Sequence, residues 1–317
     1  MVRDHGGNLA AARAAYGGED WIDLSTGINR RPWPVPPLAP ETWTALPTAP
    51  AHQTLIGAAA RAYGADPARI LPVAGAQAAI QLYPRLAPPG LARVLAPTYN
   101  EHAASLRAQG WRVEEVHHPN ALNGADLAVV VTPNNPDGGT PDPIGIDARL
   151  VIADESFADP HPGLSVAARA GGNLLVLRSF GKFYGLAGVR LGFLIGDPVH
   201  LARAAELAGP WSVSGPALEI GAKALDDRVW QAETTKRLHA DAARLDTLAL
   251  NAGWRLIGGT ALFRTYAAPD AGLAQDHLAR HRIWSRIFPY SSTWVRLGLP
   301  DGTDWPRIEA AMKGLSS

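Results

Sequence analysis

The sequence predicts an α/β protein: a mostly parallel sheet flanked by helices, followed by a smaller α+β domain. Three observations carry this. Apolar runs at residues 70–73, 93–96, 127–131, 150–153, 174–177 and 189–195 are interleaved with helical patterns from about 76, at 101–109 and at 198–208. Strands that are apolar throughout are buried on both faces, and helices between them make the connections parallel. Beyond residue 250 the style changes to short strands at 254–257, 262–266, 283–287 and 294–297, with helices at 273–280 and 305–312. The chain has 317 residues, 47% hydrophobic and 18% charged, enough for a large core.

In chain order, residues 5–16 read as a short helix with Asn8 near its start and Gly17-Gly18 at its end. A strand-like alternation follows at 21–25. The run Arg30-Arg31-Pro32-Trp33-Pro34-Val35-Pro36-Pro37 is too proline-dense for helix or central strand and reads as an extended arm. Residues 55–63 are helical and Gly64 stops them. Between Asn135-Pro136 and Leu150 no helical pattern appears, so that crossover lacks its helix. The break Gly209-Pro210-Trp211-Ser212-Val213-Ser214 marks an expected boundary. The expected large domain is 30–209, and the small domain 1–29 plus 210–317. Within the latter, 217–225 and 229–251 are helical, the second with the stripe Leu238, Ala242, Leu245, Leu248.

Formal net charge is zero, with 29 acids against 29 Lys plus Arg and no basic run. Nucleic acid and anionic membrane are therefore poor partners. There are no cysteines, which removes disulfides, thiolate metal sites and cysteine nucleophiles. No apolar signal core or membrane-length span appears, so a cytoplasmic location is expected. No H-E-x-x-H, strand-following G-x-G-x-x-G or G-x-S-x-G occurs, and no metal is expected.

The chemistry lies at expected strand ends, where open parallel sheets bind ligands. Lys182 sits in the glycine-bounded turn Ser179-Phe180-Gly181-Lys182-Phe183-Tyr184-Gly185, with Arg190 beyond. An amine beside a hydroxyl and a guanidinium suits a phosphorylated carbonyl cofactor; alone, the motif is weak and reads first as a basic surface loop. Asp154 follows four apolar residues and must be paired there, either as a counter-ion to a protonated pyridine nitrogen or as a helix cap. Gly75-Ala76-Gln77 opens a helix and suits a phosphate, or is a tight turn. Tyr99 can stack on a planar ring or be half-buried at a sheet edge, and Asn135 lies in an Asn-Pro turn. Their order along the chain carries more weight than any one of them.

That order resembles a fold-type I, class I/II pyridoxal-phosphate enzyme of the aspartate aminotransferase superfamily, from Asp23-Leu24-Ser25 to the C-terminus. The motifs are Asn134-Asn135-Pro136, Asp154-Glu155 and Ser179-x-x-Lys182 with Arg190. The resemblance implies pyridoxal 5'-phosphate as cofactor, held covalently by Lys182, which later moves protons. Asp154 is implied to pair with the pyridine nitrogen, Asn135 to bond the ring hydroxyl, and Tyr99 to stack on the ring. Ala76, Gln77, Ser179 and Arg190 are implied to hold the phosphate, and Arg296 to bind the substrate carboxylate. Within the superfamily, His5-Gly6-Gly7-Asn8, Asp23-Leu24-Ser25-Thr26-Gly27-Ile28-Asn29 and Phe157 resemble the threonine-phosphate decarboxylase group of cobalamin biosynthesis more than histidinol-phosphate aminotransferases. The family's Tyr-Pro pair is Leu46-Pro47 here.

Decarboxylation of a phosphorylated amino acid is therefore expected. The alternatives are transamination of a phosphorylated amino substrate, or a non-catalytic relative. Arg286, His5 and Asn29 are further substrate-binding candidates, and the resemblance implies a homodimer.

Overall fold

The computed structural model describes residues 5–315, and the contacts between Cα atoms divide these into two units. The larger comprises Pro32–Asn135 and Gly139–Gln231; the smaller comprises the residues up to Arg31, Pro136–Gly138 and those from Ala232 onward.

The chain starts in the smaller unit with α1 (Leu9–Tyr16), capped by Asn8, whose Oδ1 accepts from Ala11 N at 3.1 Å, and with β1 (Ile22–Asp23). It then enters the larger unit through the extended proline run. There follow α2 (Pro40–Thr44), α3 (Ala49–Tyr63), β2 (Ile70–Val73), α4 (Ala76–Leu82), β3 (Leu91–Leu95), α5 (Glu101–Ala108), β4 (Arg112–Val116), β5 (Ala125–Val131) and β6 (Ala148–Asp154). Next come β7 (Leu174–Ser179), α6 (Phe180–Phe183), β8 (Gly192–Ile195), α7 (Pro198–Ala208) and α8 (Gly215–Asp226).

The seven strands form one sheet in the order β2-β8-β7-β6-β5-β3-β4, with only β8 antiparallel to its neighbours. This is the mostly parallel, helix-flanked sheet that the apolar runs predict. Alternate residues Leu127, Val129, Leu150, Ile152, Leu175 and Leu177 pack one sheet face against Ile80, Leu106 and Leu201 of α4, α5 and α7. Each such aliphatic burial contributes about 1.5–3 kcal/mol. Register pairs Val131 with Asp154 and Asp154 with Leu177, so the strand ends that carry the chemistry are level.

Residues 210–231, expected in the small domain, lie in the larger unit. The reason is α8, which packs on α3. A Cβ on Gly221 would stand 2.9 Å from Leu55 Cδ1 and 2.4 Å from Leu191 Cδ2, so glycine there allows the close approach. The break at 209–214 is thus a turn inside one unit.

The remainder belongs to the smaller unit, apart from the first turn of α9 (Arg228–Asn251). After it come β9 (Arg255–Thr260), β10 (Phe263–Ala267), α10 (Ala271–Arg280), β11 (Ile283–Trp284), β12 (Arg286–Phe288), β13 (Ser291–Gly298) and α11 (Trp305–Lys313). β12-β13-β10-β9 form an antiparallel sheet, and β1 pairs with β11 in parallel. The helix-less crossover has a physical counterpart: Pro136–Gly138 lies in this unit. Thr265 Oγ1 donates to Pro136 O at 2.5 Å, and a Cβ on Gly258 would stand 2.1 Å from Asp137 O.

Candidate active site

A cleft in the larger unit is lined by Gly75, Ala76, Gln77, Tyr99, Asn135, Asp154, Ser156, Phe157, Ser179, Lys182 and Arg190, among others. It therefore gathers all eight residues that the sequence nominates for the cofactor. β5, β6 and β7 deliver Asn135, Asp154 and Ser179 at or just past their ends, and Lys182 stands on the short α6 directly after β7.

One end of the cleft is a cradle. Gly75 has φ 83 and ψ 160, a conformation left almost entirely to glycine. A Cβ on Gly75 would stand 2.6 Å from Arg190 Nη2, and one on Gly192 would stand 2.5 Å from Ala76 N. Ala76, Ser179 and Arg190 border the same space, residues whose donors suit a phosphate. Arg190 itself is held in a left-handed conformation, with Nη1 donating to Ala187 O at 3.1 Å.

The other end is built around Asp154, which is 3% exposed. Its Oδ1 accepts from Ser156 N at 2.9 Å and Ser156 Oγ at 2.5 Å; its Oδ2 lies 3.0 Å from His102 Nε2. Burial works against ionisation, but the His102 bond and charge and the two Ser156 bonds outweigh it and hold the carboxyl below the ordinary carboxylate range. His102 Nδ1 in turn lies 3.1 Å from Tyr83 Oη, so a buried chain runs Tyr83–His102–Asp154. Burial, then Asp154, push the Tyr83 hydroxyl well above the usual tyrosine value, so it stays a neutral hydrogen-bonding group.

Around this, Tyr99 Oη donates to Gln77 Oε1 at 3.4 Å, and Phe157 stands with its ring centroid 5.5 Å from Lys182 Nζ. The neighbouring Asn134 accepts from Thr98 Oγ1 at 2.6 Å and donates to Pro97 O at 3.0 Å, which ties the segments after β3 and β5 together.

Sequence reasoning missed His102 and Tyr83. The only signal for His102 is its place one helical turn after Tyr99, facing the sheet; Tyr83 carries none. Among the described residues, no group of three or more His, Asp or Glu could hold a metal ion.

The four substrate candidates lie in the smaller unit. Arg286 and Arg296 face each other across β12 and β13. Arg296 is buried and donates from Nη2 to Ser25 O at 2.6 Å; burial, then the neighbouring Arg286, lower its pKa to about 10. Asn29 is buried, its Oδ1 accepting from Arg31 N at 3.1 Å and Arg237 Nη2 at 2.9 Å. His5 is exposed at the start of the described chain.

The sequence matches the family described as aminotransferase class I and II over residues 19–312. The chain belongs to that family. It is 43% identical over 327 residues to a threonine-phosphate decarboxylase of Sinorhizobium sp, covering 97% of each chain. It is 42% identical over 329 residues to the threonine-phosphate decarboxylase of Pseudomonas aeruginosa, covering 98% of this chain and 97% of that one. In fold it is similar to the crystal structure of histidinol-phosphate aminotransferase from Sinorhizobium meliloti in complex with pyridoxal-5'-phosphate. The TM-score there is 0.85 at 18% identity, over 99% of this chain and 95% of that one.

Proposed function

We propose that this family member is a pyridoxal-phosphate-dependent decarboxylase. It would convert L-threonine O-3-phosphate to (R)-1-amino-2-propanol O-2-phosphate in cobalamin biosynthesis. The observation that carries this is the near full-length likeness to two threonine-phosphate decarboxylases at 43% and 42% identity.

The residues of the cleft fit the cofactor. A buried anionic carboxylate, an amine, a glycine-cleared cradle with hydroxyl and guanidinium, an amide and an aromatic ring match, group for group, a pyridinium, an aldehyde, a phosphate, a ring hydroxyl and a ring face. Bound pyridoxal phosphate supplies a carbonyl for the substrate amine and an electron-accepting ring.

The protein's own groups do the rest. Asp154 would hold a proton on the ring nitrogen, and His102 and Ser156 hold Asp154 as an anion. Lys182 would hold the cofactor aldehyde, and its amine would be the group placed to deliver a proton to the substrate Cα once the carboxylate is lost as CO2. Ala76, Gln77, Ser179 and Arg190 would hold the cofactor phosphate, Asn135 the ring hydroxyl and Tyr99 the ring face. Arg296 would receive the substrate carboxylate and Arg286 and His5 its phosphate, with Asn29 a further substrate contact. We further propose a cytoplasmic homodimer with no nucleic-acid or membrane partner. Support for the dimer comes from Trp43 and Leu46, which are 67% and 64% exposed beside an apolar groove of the larger unit.

The test is incubation of purified protein and pyridoxal phosphate with L-threonine O-3-phosphate. Aminopropanol phosphate and CO2 should form without any keto acid. Product that requires 2-oxoglutarate would establish transamination instead. Failure to develop a visible cofactor band would mark a non-catalytic relative.

A further inference from the structure

Immediately behind the cleft, on the opposite face of the same strand ends, lies a buried ion cluster that the proposed chemistry does not use. Arg178 belongs to β7, one residue before Ser179, and Glu155 follows Asp154. Arg178 Nη1 donates to Glu155 Oε2 at 2.7 Å and Nη2 to Asp159 Oδ1 at 2.6 Å. The side chains are 4%, 0% and 7% exposed, and the guanidinium lies 4.4 Å above the Tyr63 ring. Glu155 is further held by Ser165 Oγ at 2.6 Å and Val166 N at 2.6 Å.

Such a cluster is a costly way to stabilise a fold, since desolvation offsets most of its Coulomb gain. Its placement has a more specific consequence. Glu155 and Asp159, both fixed by one planar guanidinium, bracket Ser156 and Phe157. Ser156 makes both bonds to Asp154 Oδ1, and Phe157 stands over Lys182. The bracket therefore sets the wall that meets both Asp154 and Lys182.

We propose that Arg178, Glu155 and Asp159 form a positioning brace that holds Ser156 against Asp154 and Phe157 against Lys182, and so fixes the angle at which the cofactor ring is held. This rests on the cofactor reading above. A fork with two directed arms is what the role requires; a point charge on a flexible stem would neutralise the same carboxylates without locking their separation.

Asp159→Asn is the primary test. The three groups carry a net negative charge, and burial raises the Asp159 carboxyl above the ordinary range, so a neutral amide of the same shape should fold. Arg178→Lys is the second variant; it keeps the charge and removes the fork.

Three readouts are taken on the holoprotein: the dissociation constant for pyridoxal phosphate, the visible circular dichroism of the cofactor band, and kcat separately from KM. Both variants should fold, lose at least half of the visible dichroism and lose kcat by about tenfold or more, with KM within about twofold. Variants that fold but match wild type in dichroism, cofactor affinity and kcat overturn the brace. Loss of folding in both marks the cluster as structural alone and overturns it equally. Absence of a cofactor band in the wild type is the separate result that removes the cofactor reading, and the brace with it.

Discussion

Replacing His102 by leucine isolates what keeps Asp154 charged. The imidazole is fully buried, with Nε2 3.0 Å from Asp154 Oδ2 and Nδ1 3.1 Å from Tyr83 Oη. Leucine fills comparable volume but leaves Asp154 Oδ2 and Tyr83 Oη each without its imidazole partner. Breaking a buried pair by removing one partner costs roughly 3–5 kcal/mol, and orphaning a buried hydroxyl roughly 1–3 kcal/mol. Both losses arise from one imidazole and overlap, so about 4 kcal/mol is expected at pH 8.

The sign with pH follows from the direction of the shift. In the wild type the folded carboxyl is depressed, so its contribution is present above the unfolded value and lost as pH falls through the folded one. Without His102, desolvation wins and the folded value rises, so the penalty is present above it and fades as pH falls. Asp154→Asn in the His102→Leu background should therefore restore about 2 kcal/mol at pH 8, and clearly less at pH 5. Urea unfolding of the apoprotein, followed by far-ultraviolet circular dichroism, measures both. A loss under about 1 kcal/mol for His102→Leu, or no rescue by the second substitution, refutes the assignment of Asp154 as a buried anion held by His102.

Borohydride reduction of the cofactor-loaded protein should fix label on the peptide containing Lys182. Lys182→Ala should take up none, and its kcat should fall by about a thousandfold or more. Gly75→Ala forces a side chain into a conformation costing of order 1–3 kcal/mol and drives its Cβ toward Arg190; titration of apoprotein should show pyridoxal phosphate affinity weakened by about tenfold or more. Arg296→Ala should weaken binding of an amine-free carboxylate analogue by about tenfold or more at pH 8; unchanged affinity would remove Arg296 from the carboxylate site.

The central strands were readable because parallel strands buried on both faces must be apolar, as 127–131 and 174–177 are. The cleft was readable from the order of its motifs: Asp154 alone could have been a helix cap, but Ala76, Tyr99, Asn135, Asp154, Lys182 and Arg190 fall in sequence at the ends of such runs. His102 and Tyr83 were not readable, since each looks like an ordinary helical residue until folding places His102 against a carboxylate 52 positions away. Arg178 left a mark that was passed over, a lone guanidinium inside the run Leu174-Leu175-Val176-Leu177-Arg178. The helix α3 begins at Ala49, ahead of the expected 55, because Thr48 caps it and Pro50 occupies its first turn, where a missing N–H costs nothing. The α8 segment was assigned to the wrong side of a glycine-proline break because such a break reports a turn and not which neighbour the next helix packs against.

Pro136–Gly138 joins one unit while Asn135 and Gly139 belong to the other, so the polypeptide passes from unit to unit four times along its length. Neither unit is a continuous gene segment. A nascent chain that has emerged only as far as Gln231 already holds every residue lining the cleft, yet the antiparallel sheet that receives residues 136–138 has still to be synthesised. Fragments ending there should be soluble only with assistance, and complementation by a separately expressed C-terminal piece should restore the sheet rather than add an independent module.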